Sequence, residues 1–462
     1  MGYKIREIET ERKFCEELSL DALIGSIPRR EIEAVLREAD AFEQRHRRLG
    51  MIAVVLLIIA LHIYSRLSIG HVFKRLGRGL RFIWPDPDWK MPEASALSYR
   101  RYQLGARPIV ALFHRVCRPL ANEGAPGAFA FGLRLKAIDG TVEDVPDTLD
   151  NARAFGRSGS DRGASAFPQV QGVYLIECGT RAVLDAGFWP YRVSERRGGD
   201  RLMRSVGEGD LILWDAGFHS VELIERARAR KAHALGKLPA TVKPEVIRQL
   251  PDGSALAYLR PSAPLRRKRG DKLMVRIISY EITDPARPHY GERQRLVTTL
   301  LDEKQAPALD LVCVYHERWE IEITIDEIDT HQRLVDRPLR SLKPVGVIQE
   351  LHGLLIAHYA IRALMQEAAL KAGLAPDRLS FVGSLRIIQD AIPEFQMVKR
   401  TMRHQLHQRL LRDLAAERLP ERRPRSNPRV VKRKMSNFQI KRPQHCHTPS
   451  LVRSFREAVK LI

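Results

Sequence analysis

The chain has 462 residues, enough for two to four domains with buried cores. Lys and Arg number 77 against 55 Asp and Glu, a net charge of +22 with a pI near 10.1, which points to a polyanionic partner, nucleic acid ahead of a membrane surface. Five scattered cysteines (15, 117, 178, 313 and 446) without a CxxC pair argue against a disulfide framework or a cysteine-based zinc centre, and for a reducing compartment.

Residues 1–120 read as mostly helical. Ser26-Ile-Pro28-Arg-Arg-Glu31 opens an amphipathic segment that runs to Phe42, with a Ser cap and an early Pro. Residues 51–61 are the one strongly apolar run. Eleven helical residues cover about 16 Å against roughly 30 Å of bilayer hydrocarbon, and Arg45, Arg47 and Arg48 on one side and His62 and Arg66 on the other block any extension. The run also lies too far along the chain for a signal peptide. A buried core helix in a cytoplasmic protein with no membrane partner is the expectation. Residues 69–82 carry Lys74, Arg75, Arg78 and Arg81, and Trp84-Pro-Asp-Pro-Asp-Trp89 is a breaker. A short helical segment within 92–105, then a helix over 108–120, resemble a helix-turn-helix meeting DNA, with Arg100 and Arg101 as candidate contacts.

The pattern then changes. Residues 129–138 alternate like a strand and end in Asp139-Gly140-Thr141, and 169–177 and 182–189 read as two more strands. Residues 210–215 form a short apolar strand ending on Asp215-Ala-Gly-Phe-His-Ser220. Carboxylates at the C-terminal ends of separate strands are where an α/β sheet places its chemistry. Strand-like runs at 255–260, 272–283 and 294–301, punctuated by Pro and by Arg266, Arg267, Lys268 and Arg269, predict a β-rich insertion over about 235–310. The Arg266–Arg269 cluster is a further candidate DNA contact. Helices over 344–372 and 376–390 follow. From Lys399 onward 18 Lys and Arg face 4 Asp and Glu, and the Pro, Ser and Arg between 419 and 443 predict a flexible tail that tracks phosphates.

Tyr315-His-Glu-Arg318-Trp-Glu-Ile-Glu322 is the most informative stretch. On one continuous helix, Tyr315, Arg318 and Glu322 fall within an arc of about 60°, while Val314, Ile321, Ile325 and Ile328 make a separate apolar stripe. Alone, such a face is most often a salt-bridged surface. With Asp139 and Asp215 upstream, Glu322 completes a set of hard oxygen donors able to hold two Mg²⁺ ions about 3.5–4 Å apart for in-line attack at phosphorus, with Mn²⁺ as a substitute.

The set, in this order, resembles the IS4 family of DDE transposases: Asp139 in IDGT, Asp215 in WDAGFHS, and Tyr315, Arg318 and Glu322 in a Y-(2)-R-(3)-E pattern. LIGSIPRREIEAVL and ASALSYRRYQLG look like that family's N-terminal region, and the resemblance spans roughly residues 20–365. It implies an α/β class: an RNase H-like mixed sheet with the β-rich insertion, preceded by an all-helical domain. The implied division is 1–125 for the helical DNA-binding domain, 126–395 for the catalytic domain and 396–462 for the basic tail. It also implies cutting at transposon ends with Mg²⁺, generally through a hairpin intermediate, and joining of the freed 3′ ends to target DNA. The partners would be double-stranded DNA, as terminal inverted repeats and target, with a homodimer on paired ends at the nucleoid. Tyr315 and Arg318 match positions that hold DNA phosphates near the scissile bond. A base flipped in the hairpin step is expected to stack on an aromatic.

One departure stands out. The family pattern continues to a Lys where this chain has Asp329, and Asp326 is acidic on the same face. Three readings follow: Asp326 or Asp329 assists the metal; a basic residue such as Lys343 substitutes; or the chain is a catalytically impaired DNA-binding relic. His445-Cys446-His447 lacks a second ligand pair and reads as incidental.

Overall fold

The computed structural model describes residues 3–23, 25–42, 49–160, 163–261, 272–285, 287, 289–333, 337–420 and 453–462. Contacts divide the chain into two compact units, one of Met1–Phe129, Arg134–Ser205 and Trp319–Leu419, the other of Ala130–Leu133, Val206–Arg318 and Pro420–Ile462.

The first unit opens with helices α1 (Arg29–Glu38), α2 (Met51–Ile63), α3 (Ile69–Leu76), α4 (Ala94–Leu104) and α5 (Arg107–Val116). Helix α1 starts on Pro28 rather than on a Ser cap. The apolar run is α2, and nearly all its residues are buried, as a helix apolar on every side must be. No described helix is long and apolar enough to cross a membrane. The long helix α11 (Pro344–Ala372) packs against α2. Its Gly353 lets the two approach closely, since a Cβ there would stand 2.8 Å from Ile58 Cγ2. Strands β1 (Phe129–Ala130) and β2 (Leu133–Asp144) follow, then α6 (Leu149–Phe155), a small hairpin of β3 (Gly159–Ser160) and β4 (Gly163–Ala164), and β5 (Gln169–Glu177) and β6 (Ala182–Pro190). Strand β5 pairs antiparallel with β2 and β6, setting Asp139 opposite Tyr174. Helix α7 (Glu195–Leu202) lies against β5 and β6.

The second unit is built on a mixed sheet. Strand β7 (Asp210–Trp214), helix α8 (Val221–Ala229) and β8 (His233–Lys237) make a β-α-β unit whose strands run parallel. Trp214 is fully buried against Gly236, where a Cβ would collide with its indole. Strands β9 (Glu245–Gln249), β10 (Ala255–Leu259), β11 (Leu273–Ile282) and β12 (Arg293–Thr298) fall in the stretch read as β-rich. They pair antiparallel in the order β8-β12-β11-β10-β9. Helix α9 (Ala308–His316) follows. The last strand, β13 (Val459–Leu461), joins β11 with Tyr280 opposite Leu461.

Back in the first unit, α10 (Trp319–Asp326) runs into a π-helical stretch over Glu327–Arg333. Helices α12 (Phe381–Met397) and α13 (Arg403–Ala416) complete it. Much of the stretch read as a flexible tail, together with His445–His447, lies outside the described residues, whereas 403–416 are helical.

Candidate active site

The 315–322 segment is not one helix. Helix α9 ends at His316, where Glu317 N–H and Arg318 N–H donate to Val314 O (3.0 Å) and Tyr315 O (3.1 Å). These three-residue bonds tighten the last turn before α10 begins at Trp319. The 60° arc expected of a continuous helix is thus corrected: Tyr315 and Arg318 belong to the second unit and Glu322 to the first. Ile321 and Ile328 of the apolar stripe are fully buried.

Within the second unit, the buried run of β7 carries the chain to Asp215, which is half-buried. Its Oδ1 accepts Gly217 N–H (2.9 Å) and Phe218 N–H (3.3 Å), capping the turn. Both bonds engage one oxygen, which leaves Oδ2 outside the turn. The Arg318 guanidinium lies 5.9 Å from the Tyr315 ring centre. Burial pushes the Tyr315 phenol well above its usual range, opposed by Arg318 and reinforced by Tyr280 and Asp215. Burial likewise pushes Tyr280 up to about 12, again opposed by Arg318. Asp215, Tyr280, Tyr315 and Arg318 therefore share one electrostatic neighbourhood holding two protonated phenols and a cation. Tyr280 went unread because only tertiary pairing brings β11 to α9. On the far face of α9, His316 stacks on Phe455 with ring centres 4.1 Å apart.

Within the first unit, Asp139 lies on β2 and Glu322 on α10, both half-buried. Asp139 Oδ1 accepts its neighbour's Gly140 N–H at 2.8 Å. Alternation along β2 puts Asp139, Thr141 and Glu143 on one face. That face is registered to the helix: Thr141 Oγ1 donates to Asp329 Oδ2 (3.1 Å), and Arg333 Nη2 lies 2.8 Å from Glu143 Oε2. The seam runs in the same direction on both sides. Stepping back from Thr141 to Asp139 is about 7 Å along the strand, and from Asp329 to Glu322 about 10 Å along the helix. Asp139 and Glu322 therefore stand at the same end of the seam. Glu195 at the start of α7 adds a nearby carboxylate: a Cβ on Gly140 would stand 2.6 Å from its Oε1.

Asp329, in the position of the family's Lys, is thus drawn inward. Burial and the neighbouring Asp329 push the Glu143 carboxyl well above the ordinary range, against the single attraction of Arg333. A carboxyl beside a carboxylate shares a proton in this way. Asp326 is exposed with His331 at 3.5 Å, and Lys343 is exposed with its ammonium 5.4 Å from the Tyr102 ring centre.

Arg100 and Arg101 correct the reading of them as DNA contacts. They are only 7 % and 5 % exposed. Arg100 donates to Leu49 O from Nε (3.2 Å) and Nη2 (3.0 Å), and Arg101 Nη2 donates to Ser341 Oγ (3.1 Å) with Glu350 beside it. The apolar neighbours Leu97 and Leu104 bury that face of α4, so both guanidiniums tie α4 into the unit. The Arg266–Arg269 cluster lies outside the described residues. Among the described residues no group of three or more His, Cys, Asp or Glu is gathered to hold a metal ion. By chemistry, Asp139, Asp215 and Glu322 fit Mg²⁺: all are hard oxygen donors, half-buried, and Asp215 keeps one oxygen outside its turn.

The family described as Transposase DDE domain matches residues 130–360, and Insertion element 4 transposase N-terminal matches residues 17–114. Transposase InsG for insertion sequence element IS4, from Escherichia coli (strain K12), is 28% identical over 412 residues, covering 87% of this chain and 89% of its own. Putative transposase InsZ from the same strain is 27% identical over 147 residues, 32% of this chain and 49% of its own. Among solved structures, a piggyBac transposase synaptic complex with hairpin DNA matches with a TM-score of 0.41 and 11% identity over 92% of this chain and 89% of that one, a likeness too low to decide the fold. With the DDE domain matched over half its length and the family's N-terminal region ahead of it, the chain belongs to the IS4 family of DDE transposases.

Proposed function

We propose that the chain cuts DNA at transposon ends with Mg²⁺ and joins the freed 3′ ends to target DNA, on an RNase H-like core within the 126–395 region. The observation that carries this reading is the seam of Thr141 with Asp329 and Glu143 with Arg333, which sets Asp139 and Glu322 at one end in a chain matched by a DDE domain. Asp139, Asp215 and Glu322 would hold the ions, which supply Lewis-acid stabilisation of charge at phosphorus and an activated nucleophile. The remaining work falls to side chains of the second unit. The Arg318 fork binds phosphate oxygens in two directions. Tyr315 and Tyr280, held protonated by burial, donate hydrogen bonds to the same group and stay neutral across the working pH range. Double-stranded DNA, as terminal inverted repeats and target, is the partner, bound by a dimer at the nucleoid. Trp319 is the aromatic for the flipped base. It is 48% exposed, whereas Trp214 is buried, Trp84 and Trp89 lie against Phe14, and Trp189 packs on Gly187 and Gly198.

The test is a cleavage assay on paired transposon ends. Asp139→Asn, Asp215→Asn and Glu322→Gln should each lower the rate by about 10³-fold, the equivalent of several kcal/mol of lost transition-state stabilisation, with duplex affinity retained. Wild-type rates in Glu322→Gln would sink the metal role of that residue. A second reading, a DNA-binding relic, is favoured by the inward engagement of Asp329. Mg²⁺-dependent nicking by the natural chain removes it.

A further inference from the structure

The first unit contains a second polar feature whose lining includes none of the three carboxylates. A cavity of about 900 Å³ is lined by His62, Ser65, Arg66, Arg333, Arg337 and Arg340, with Ser68 and Glu350 at its margin. Among the described lining residues, Arg66, Arg333, Arg337 and Arg340 stand against one carboxylate, Glu350. Glu350 is already engaged, accepting Ser341 Oγ–H and Arg340 N–H (3.0 Å), with Arg101 at 3.5 Å. Ser68 caps α3 and so places that helix's first turn at the margin.

Three side-chain nitrogens of these lining residues are buried without a hydrogen-bond partner, His62 Nε2, Arg333 Nε and Arg340 Nη1, while Arg333 Nη2 lies 2.8 Å from Glu143 Oε2 and Arg340 Nη2 donates to Ser65 O. Leaving such groups unmade is costly. His62 is only 4% exposed. Burial, then Arg340, Arg101 and Arg333, hold its imidazole well below the ordinary range. Apolar contacts would not satisfy this set. A tetrahedral oxyanion would, because it accepts from several directions and neutralises converging guanidiniums.

We propose that this cavity binds a phosphate group, and that its occupant is a backbone phosphate of DNA held apart from the reacting one. The DNA part rests on the transposase reading above, and the anion site stands on its own lining. Arg66 and Arg337 are the exposed guanidiniums of the lining and would meet the strand first, while Arg340 and His62 are more deeply buried.

The experiment uses the full chain and the doubly substituted Arg66→Gln, Arg337→Gln variant, whose positions are exposed and spare Arg340 and His62. Two probes are applied: a 30-base-pair duplex of arbitrary sequence across a salt series, and inorganic phosphate read by the NMR titration of the His62 ring. Loss of one phosphate contact should flatten the slope of log K against log salt by about 0.9, which makes the loss of affinity about threefold larger at 50 mM than at 200 mM salt. Inorganic phosphate should move the His62 titration upward in the natural chain, and far less in the variant. A His62 response with an unchanged salt slope overturns the DNA occupant, leaving a site for free anion. An unchanged slope with no His62 response overturns the site. If the natural chain binds no duplex at any salt, the DNA-binding reading fails, while the phosphate arm still decides the cavity.

Discussion

At the scale of single residues, the most telling position is Asp329, where the family resemblance implies a lysine. It is accommodated because Thr141 donates to it, Arg333 lies beside Glu143, and burial together with Asp329 pushes the Glu143 carboxyl well above its ordinary range. Folding raises the pKa of Glu143, so the folded chain binds more protons there than the unfolded one. Stability from this group is full below the usual carboxyl range and declines as pH rises toward the folded value. Glu143→Gln keeps the neutral form, and urea titrations across pH 5 to 8 should show a flatter stability profile than the natural chain. Equal profiles would mean the proton is not held there. Asp139, Asp215 and Glu322 could be singled out because each sits in a short motif, but Asp139 lies inside β2, which runs on to Asp144, and not at the strand end the sequence suggested. The Glu143 partnership could not be, because nothing local announces which helix residue will face Glu143 across the seam.

At the scale of elements, the strands and long helices followed their hydrophobic periodicity: residues 169–177 and 344–372 are β5 and α11. The break between α9 and α10 did not follow, since no Gly or Pro marks residues 308–326. Here tertiary bonding overrides local pattern. Glu327, just after α10, is bound by Arg362 Nε (2.9 Å), Arg181 Nη1 (3.0 Å) and His358 (3.2 Å). Burial pushes its carboxyl up, yet Arg362, His358 and Arg181 together hold it well below the carboxylate range. The helix that bears Glu322 is thereby pinned to α11 and to the turn before β6. Glu327→Ala leaves Arg362 buried without its carboxylate, while Arg181 keeps Glu320, and should destabilise the chain by about 3–5 kcal/mol, seen as a lower urea midpoint. A change below about 1 kcal/mol would show that the network is replaceable.

At the scale of the whole molecule, two units divide the site residues, and the second is tied together by a late segment. Phe455 stacks on His316, Arg456 pairs with Asp310, Arg287 Nη2 donates to Arg453 O (2.8 Å), and β13 pairs with β11. These contacts brace the end of α9 that carries Tyr315. Removing residues 453–462 should therefore lower the cleavage rate by about tenfold or more, because small misplacements of a phosphate-holding side chain are costly. Duplex affinity should fall less than about twofold. Hydrogen exchange should quicken around Tyr280 and α9 while the first unit keeps its protection. Normal cleavage by the shortened chain would show the brace to be dispensable. The same pairing has a consequence in time. Tyr280 and its partner Leu461 stand 181 residues apart, and at about 5–20 residues per second the ribosome needs roughly 10–40 s to make that span. Over that interval the end of β11 next to Tyr315 has an open edge. The Tyr280 end of β11 is therefore completed only once translation has passed β13.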